Sequence, residues 1–498
     1  MALPSFHRTV RSLRSRSFFL LVLFLHHLFL STFTLAHSRR IDDCCCDAET
    51  VDAANDDLLN SRLTALRATP FFRTFKVNLG NSCPFWVDDG QCMLRGCAVC
   101  GQCEPDEVES IWGKAAMESM APAATTASAA ASFGHSSASP SAFPASAFAS
   151  ALSTPASSSS SSSSSVTSRV NTGSLGPNFA EWTDDDDCLW IVQDADTPES
   201  SVSYINLQLN PESYTGYGGP AAHEVWRAIY DENCFSSGHM EDLCYEQRVF
   251  YRLLSGMHAA ISAHIANAYP VSADIDPHAD INEQPHLYGP SLAVYDDKLG
   301  SHPDRLNNLY FAFVFILRAV NKATPMLLDF NYTTHSPVVD AQTTAAVHQL
   351  LTNGLVTACQ PTASFDESTM FTSLDKLTLK RQFKAHFRNL SSILDCIGCE
   401  KCRLHAKLQV LGLGTALKVL FNDRPFQLQR NEVVALLNVL GKFSSALVIG
   451  KEMEGRRVAG VRWRMGQRAV ALGAVVCVLA ITRLRWKKRR PKDRVKMS

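Results

Sequence analysis

Three cysteines at steps of three, Cys396-Ile-Gly-Cys399-Glu-Lys-Cys402, open a segment of strong helical character. Cys399 and Cys402 lie one helical turn apart and can close a reducible disulfide. A helix N-terminus stabilises a thiolate, and the thiolate is the species that attacks a disulfide, so this position speeds exchange. Asp395, just upstream, is expected to cap the helix. In a secreted chain, redox chemistry outweighs a structural or metal-binding use of these thiols. A second cluster holds Cys83, Cys92, Cys97, Cys100 and Cys103. Cys92 and Cys97 bracket a short loop after Pro84 and Gly90, where a disulfide is exposed and exchangeable. From the residues alone, structural pairing at this loop stands level with redox work. Cys97-Ala-Val-Cys100 and Cys399-Glu-Lys-Cys402 also have the two-by-two spacing of a zinc site, but about 300 residues separate them, far more than compact zinc modules use. Gly412-Leu-Gly414 lacks the third glycine of a dinucleotide fingerprint and follows a helix, so these glycines are expected to permit close helix packing.

The elements that must position these thiols read as helices. Within 241–268, Phe250, Leu253, Leu254, Met257, Ile261 and Ile265 recur at spacings of three and four. Leu309 to Leu317 is almost continuously apolar and too short for a membrane span, which predicts a buried helix. Helical patterns follow at 340–357, 369–390, 403–421 and 430–447. Few stretches alternate with period two, which argues against a large sheet. The fold class is therefore mainly α: a single helical-bundle domain with Cys-rich N-terminal loops, a disordered Ser/Ala insertion and a short C-terminal apolar segment.

The ends indicate the compartment. Arg8, Arg11, Arg14 and Arg16 precede an apolar run from Phe18 to Ala36, the order expected of a signal peptide over 1–36. A Cys-rich segment covers 37–112, the insertion 113–178 and the helical core 179–450. The insertion ends in an unbroken run from Ser157 to Ser165 and cannot bury enough apolar surface to order itself. Asp184 to Asp187 reads as a solvated acidic loop. A second apolar run, within 469–482, is a possible transmembrane segment, and the basic tail 483–498 is expected in the cytosol. Asn331-Tyr-Thr and Asn389-Leu-Ser are glycosylation acceptors in such a compartment. With 47 Lys+Arg against 48 Asp+Glu, the net charge of −1 excludes a globally basic nucleic-acid binder, and 46% hydrophobic residues suffice for a large core.

Four blocks, in order, resemble the endoplasmic reticulum oxidoreductin family, FAD-dependent thiol oxidases of protein disulfide isomerase. They are Asp43-Cys-Cys-Cys-Asp-Ala-Glu-Thr-Val-Asp52 with Phe71-Phe-Arg-Thr-Phe-Lys-Val-Asn-Leu79; Cys83-Pro-Phe-Trp-Val-Asp-Asp-Gly-Gln-Cys92; Tyr214-Thr-Gly-Tyr217 with Glu232-Asn-Cys234 and Cys244 through His258; and Cys396 through Leu404 with Lys407-Leu-Gln409 and Gly412 through Leu417. The resemblance implies a flavoprotein of the ER lumen. Electrons would pass from reduced protein disulfide isomerase to a shuttle pair Cys92–Cys97, then to Cys399–Cys402, FAD and molecular oxygen, giving hydrogen peroxide. It implies structural bridges Cys83–Cys396 and Cys234–Cys244, and flavin contacts at Thr215, Trp226, Ser255, His258 and Arg305. This chain departs from the family at Ser213, where an Arg is usual, and at Lys298, which matches a second flavin-proximal Arg and is a point charge rather than a fork. Both departures imply a weaker hold on FAD. No Cys occurs between Cys103 and Cys188, so Cys100 or Cys103 is the candidate trap for Cys97. With the four pairs made and Cys477 in the apolar run, seven of the 16 cysteines remain: Cys44, Cys45, Cys46, Cys100, Cys103, Cys188 and Cys359. The alternatives are a disulfide-bonded scaffold that has lost FAD, and a zinc-binding helical module.

Overall fold

The computed structural model describes residues 48–56, 60–85, 99, 202–211, 219–233, 243–271, 284–334, 336–352, 367–372, 376–422 and 425–489. The expected signal peptide, the Ser/Ala insertion, Asp184 to Asp187, Cys92, Cys97, Thr215, Cys234 and the last nine residues of the tail lie outside them.

The architecture is a helical bundle, as the periodicity implies. In chain order the helices are α1 (Ala48–Ala54), α2 (Asn60–Arg67), α3 (Pro70–Arg73), α4 (Gly219–Asn233), α5 (Tyr245–Asn267), α6 (Leu292–Tyr295), α7 (Pro303–Leu328), α8 (Pro337–Leu351), α9 (Lys376–Leu394), α10 (Glu400–Phe421) and α11 (Arg430–Arg489). Strand β1 (Thr74–Val77) pairs antiparallel with β2 (Ser203–Asn206), Phe75 opposite Ile205. β3 (Tyr269–Pro270) pairs with β4 (Tyr288–Gly289). These two small ribbons are the sheets among the described residues.

Helix α5 buries Phe250, Leu253, Leu254, Met257, Ile261 and Ile265, the stripe read from the sequence. It packs along α7, and α10 packs along α11, with α7 touching α10 and α11. Pro303 starts α7, where its missing N–H costs nothing. Gly256 and Gly412 set the two close approaches. A Cβ on Gly256 would lie 2.5 Å from the carbonyl oxygen of Asn308, and one on Gly412 would lie 2.8 Å from that of Ala435. The reading of Gly412 as a packing residue therefore holds.

Three helices, α7, α10 and the first 38 residues of α11, are long and apolar enough to cross a membrane. All three pack into one core, so that apolarity serves the bundle. Helix boundaries differ from the pattern in instructive places. The pattern at 369–390 becomes a 3-10 turn at Glu367–Thr369 and then α9 from Lys376. Between them Phe371 adopts a positive φ of 57°, incompatible with a continuing helix. The pattern at 430–447 becomes one helix running to Arg489, through the expected core boundary at 450 and the apolar segment at 469–482.

Candidate active site

Cys399 is the N-cap of α10, and its Sγ accepts the Cys402 N–H at 3.3 Å. Asp395 does not cap this helix. It sits on the preceding turn with Oδ1 2.6 Å from Lys407 Nζ, because a buried carboxylate is better matched by a buried ammonium than by a helix end already capped by sulfur. Burial pushes the Asp395 carboxyl up, while Lys407 and Arg403 pull it down. Both Cys399 and Cys402 are buried. An N–H aimed at Cys399 Sγ, together with the positive end of α10, favours negative charge on that sulfur.

Cys396 is joined to Cys83 by a disulfide, which ties the stretch after β1 to the loop before α10. Buried cations of α10 reinforce that tie. Arg403 donates from Nε and Nη2 to Ile397 O at 2.9 and 2.7 Å, and from Nη1 to Leu79 O at 2.6 Å. Lys407 Nζ also donates to Asn78 O at 2.9 Å. His405, one turn beyond Cys402, donates from Nε2 to Asn210 O at 2.6 Å and accepts from Lys442 Nζ at Nδ1, 3.2 Å away. The sequence had assigned none of these cations a role. Their signal was present: charges on an otherwise apolar helix must find partners.

A second cluster gathers four helical segments. Trp226 of α4 stacks on His258 of α5, centroids 3.7 Å apart and planes 9° from parallel. Tyr230, also on α4, places its hydroxyl 3.2 Å from His258 Nδ1. Arg305, in the first turn of α7, donates from Nη1 to Lys298 O at 2.9 Å, which closes the π-turn Asp296–Gly300 onto α7. Asn308 donates to Ser255 Oγ at 3.0 Å and accepts from Arg252 Nε at 3.1 Å. Burial, then Arg305, then Lys298, push the His258 imidazole down to about 3. The structure thus brings together Trp226, Ser255, His258, Lys298 and Arg305. Tyr230 and Asn308 join the cluster unannounced by any motif.

The donor set fits FAD. No carboxylate pairs with Arg305 or Lys298 among the described residues, which leaves two cations for a pyrophosphate. The stacked Trp226–His258 pair, with its imidazole held neutral, suits a planar ring.

Cys244 is an exposed thiol at the N-cap of α5, held by its N–H to Gln247 Oε1, and burial raises its thiol above the ordinary value. Cys234, its expected partner, lies outside the described residues. Asn331 is exposed after α7. Asn389 is half-buried inside α9 with its amide donating to Asn233 Oδ1 at 3.2 Å.

A helical bundle with a paired thiol at a buried helix N-terminus defines a thiol oxidoreductase. The family model for Endoplasmic Reticulum Oxidoreductin 1 matches residues 58–449, and the chain belongs to that family. It is 39% identical over 423 residues to endoplasmic reticulum oxidoreductin-1 of Arabidopsis thaliana, covering 83% of this chain and 79% of that one. It is 33% identical over 474 residues to ERO1-like protein alpha of Homo sapiens, covering 84% and 90%. The structure of Ero1p, described as the source of disulfide bonds for oxidative protein folding in the cell, shares the fold with a TM-score of 0.50 at 22% identity, over 83% of this chain and 99% of that one.

Proposed function

We propose that the protein is a thiol oxidase of the ER lumen that makes disulfides for oxidative protein folding. The observation that carries this reading is the Cys399-Glu-Lys-Cys402 pair, buried at the start of α10 with an N–H on Cys399 Sγ. A buried pair cannot meet a folded protein substrate directly, so a second pair must carry electrons to it. Cys92–Cys97 is that shuttle. A thiolate of reduced protein disulfide isomerase attacks the Cys92–Cys97 bond, and the second isomerase thiol resolves the mixed disulfide. The shuttle dithiol then reduces Cys399–Cys402 in the same way, and two electrons have moved inward.

FAD, held by Arg305 and Lys298 at its phosphates and by Trp226 and His258 at a ring, together with Thr215, would supply the two-electron chemistry that passes thiol electrons to molecular oxygen and yields hydrogen peroxide. The chain's own part is to fix the site. Ser255 is oriented by Asn308, His258 stays neutral, and the α10 cations clamp the Cys83–Cys396 bridge. The apolar end of α11 attaches the bundle to the ER membrane.

The test is the visible spectrum of the full chain, purified in detergent, before and after reduced protein disulfide isomerase is added without oxygen. The expected result is a yellow protein that bleaches and recovers in air. A colourless protein, or a flavin that never bleaches, would overturn the oxidase reading in favour of a scaffold.

A further inference from the structure

The turn that carries Lys298 is fastened to α11. Tyr295, fully buried at the end of α6, donates from its hydroxyl to Gly450 O at 3.2 Å. One residue on, Asp296 Oδ1 faces Arg457 Nη1 at 3.7 Å. Arg457 is oriented for this by Glu454, one turn earlier on α11, which accepts from Nε at 3.0 Å and from Nη2 at 2.7 Å. That fork engages two of the guanidinium nitrogens and turns the third, Nη1, toward Asp296. Gly300 ends the turn beneath them. A Cβ there would lie 2.6 Å from Asp296 Oδ1 and 3.5 Å from Arg457 Cδ, so only glycine lets the carboxylate fold back over the turn.

The direction of that carboxylate matters because of its neighbours. Asp296 precedes Lys298 by two residues, and two residues of chain span at most about 7 Å. Arg305 donates to Lys298 O, so its guanidinium lies on the same turn. Both cations act on the His258 imidazole, each holding it down, so both belong to the site of the stacked pair. A carboxylate at such a separation lies inside the screening length of about 8 Å in physiological salt, and it would compete with an anionic ligand for the two cations. Asp297 and Asp304, the carboxylates next to Lys298 and Arg305 in sequence, are exposed, where water screens them.

We propose that Arg457 is a positioning residue that draws the Asp296 carboxylate onto α11 and so keeps Lys298 and Arg305 available to the diphosphate of FAD. This rests on the flavin reading above. The ion pair itself adds little to stability, since its side chains are 36% and 50% exposed. Its effect is on the charge beside the cations. A plain fastening would make the two partners equivalent, so that removing either does the same harm. Withdrawal of the carboxylate makes them opposite. Loss of Arg457 releases an anion beside Lys298 and Arg305, whereas loss of the Asp296 charge removes that anion.

The experiment uses the full chain purified in detergent with its flavin, and the variants Arg457→Gln, Asp296→Asn and the two combined. The rate of FAD release is followed by flavin fluorescence after dilution, and the flavin-to-protein absorbance ratio is read on the same samples. Arg457→Gln keeps a side chain over Gly300 and loses the charge. It is expected to release FAD about fivefold faster, the upper end for an exposed charge pair. In about 1 M salt its difference from wild type shrinks to within about twofold, because the lost part is electrostatic. Asp296→Asn releases FAD no faster than wild type. Added to Arg457→Gln, it restores release to within about twofold of wild type, which a fastening cannot do. A variant isolated without flavin counts as complete loss. The assignment is overturned if Arg457→Gln holds FAD as wild type does, if Asp296→Asn alone speeds release as much as Arg457→Gln, or if the double variant stays as fast as Arg457→Gln. A wild-type chain isolated without flavin overturns the flavin reading and this assignment with it, whereas the other outcomes leave that reading standing.

Discussion

Burial, Arg305 and Lys298 together push the His258 imidazole down to about 3, from an ordinary value of 6.5. The unfolded chain takes up a proton as pH falls through 6.5, while the folded chain resists until about 3. Between those values the unfolded state binds more protons, so stability falls as pH falls. The contribution is fully present above 6.5 and is lost towards 3. The ring is half-buried, so the one-proton slope of about 1.4 kcal/mol per pH unit is a ceiling. Replacing His258 by Gln is expected to flatten the stability profile of the flavin-free protein between pH 6.5 and 4.5, measured by urea unfolding. Parallel profiles for the two proteins would refute the assignment. At this scale the sequence was partly legible. Trp226, Ser255, His258, Lys298 and Arg305 were reached through family motifs, and the structure gathers them. Tyr230 and Asn308 were not, because each acts on a partner 28 or 53 residues away and no local pattern records such a pairing. Asn389 shows the converse. Its triplet reads as a glycan acceptor, yet its side chain is engaged with Asn233 inside a helix.

Among the elements, the pair α10 and α11 carries the most consequence for the thiols. Glu432 of α11 accepts from Lys418 of α10 at 2.7 and 3.0 Å, and both side chains are buried. The two helices approach closely enough at Gly412 that a methyl group there would meet Val439 and the carbonyl of Ala435. Backbone cannot yield as a flexible side chain can. Gly412→Ala is therefore expected to cost about 1–3 kcal/mol through overpacking. It should also lower occupancy by the proposed flavin, since α10 carries the inner cysteines at its start. Thermal unfolding and the flavin-to-protein absorbance ratio check this together, and an unchanged melting temperature would show that the helices part without cost. The pattern of apolar residues made the existence of α5, α7, α10 and α11 legible. In α10 the apolar pattern begins only after 403, whereas the cysteine spacing opens the helix upstream and sulfur caps it at Cys399. The pattern missed the length of α11 because glycines at 450, 455, 460, 466 and 473 resemble breaks, yet glycine remains tolerated within a helix sustained on both sides.

For the whole molecule, α11 is the longest of the described helices. Its 60 residues extend about 90 Å, far beyond the bundle. Met453 is the last residue of the buried core among those described. Beyond it Trp463 is 70% exposed and Val470 74%, with Val475, Val478, Leu479 and Ile481 also facing outward. Apolar surface of this extent on a soluble helix is unfavourable, whereas lipid would cover it. The Gly473–Arg483 stretch alone is short for a span. Flanking Arg483 and Arg485 can snorkel to the interface and lengthen its reach. Where α11 leaves the bundle it walls a groove of about 1390 Å³ with Ala48, Asp52, Leu306 and Tyr310 opposite Val458 and Trp463. The hydrogen bond from Tyr310 to Asp52, 2.7 Å, and the ion pair of Lys451 with Asp56 fasten α1 there, so the bundle closes without the projecting part. A chain ending at Gly460 is therefore expected to melt within about 2 °C of the full chain and to keep the flavin proposed for it. The same chain should leave the membrane pellet on alkaline carbonate extraction, while the full chain stays. Retention of the shortened chain in the pellet would place the attachment at the N-terminal apolar run instead. A shortened chain that loses flavin would mean that the projecting half of α11 stabilises the site.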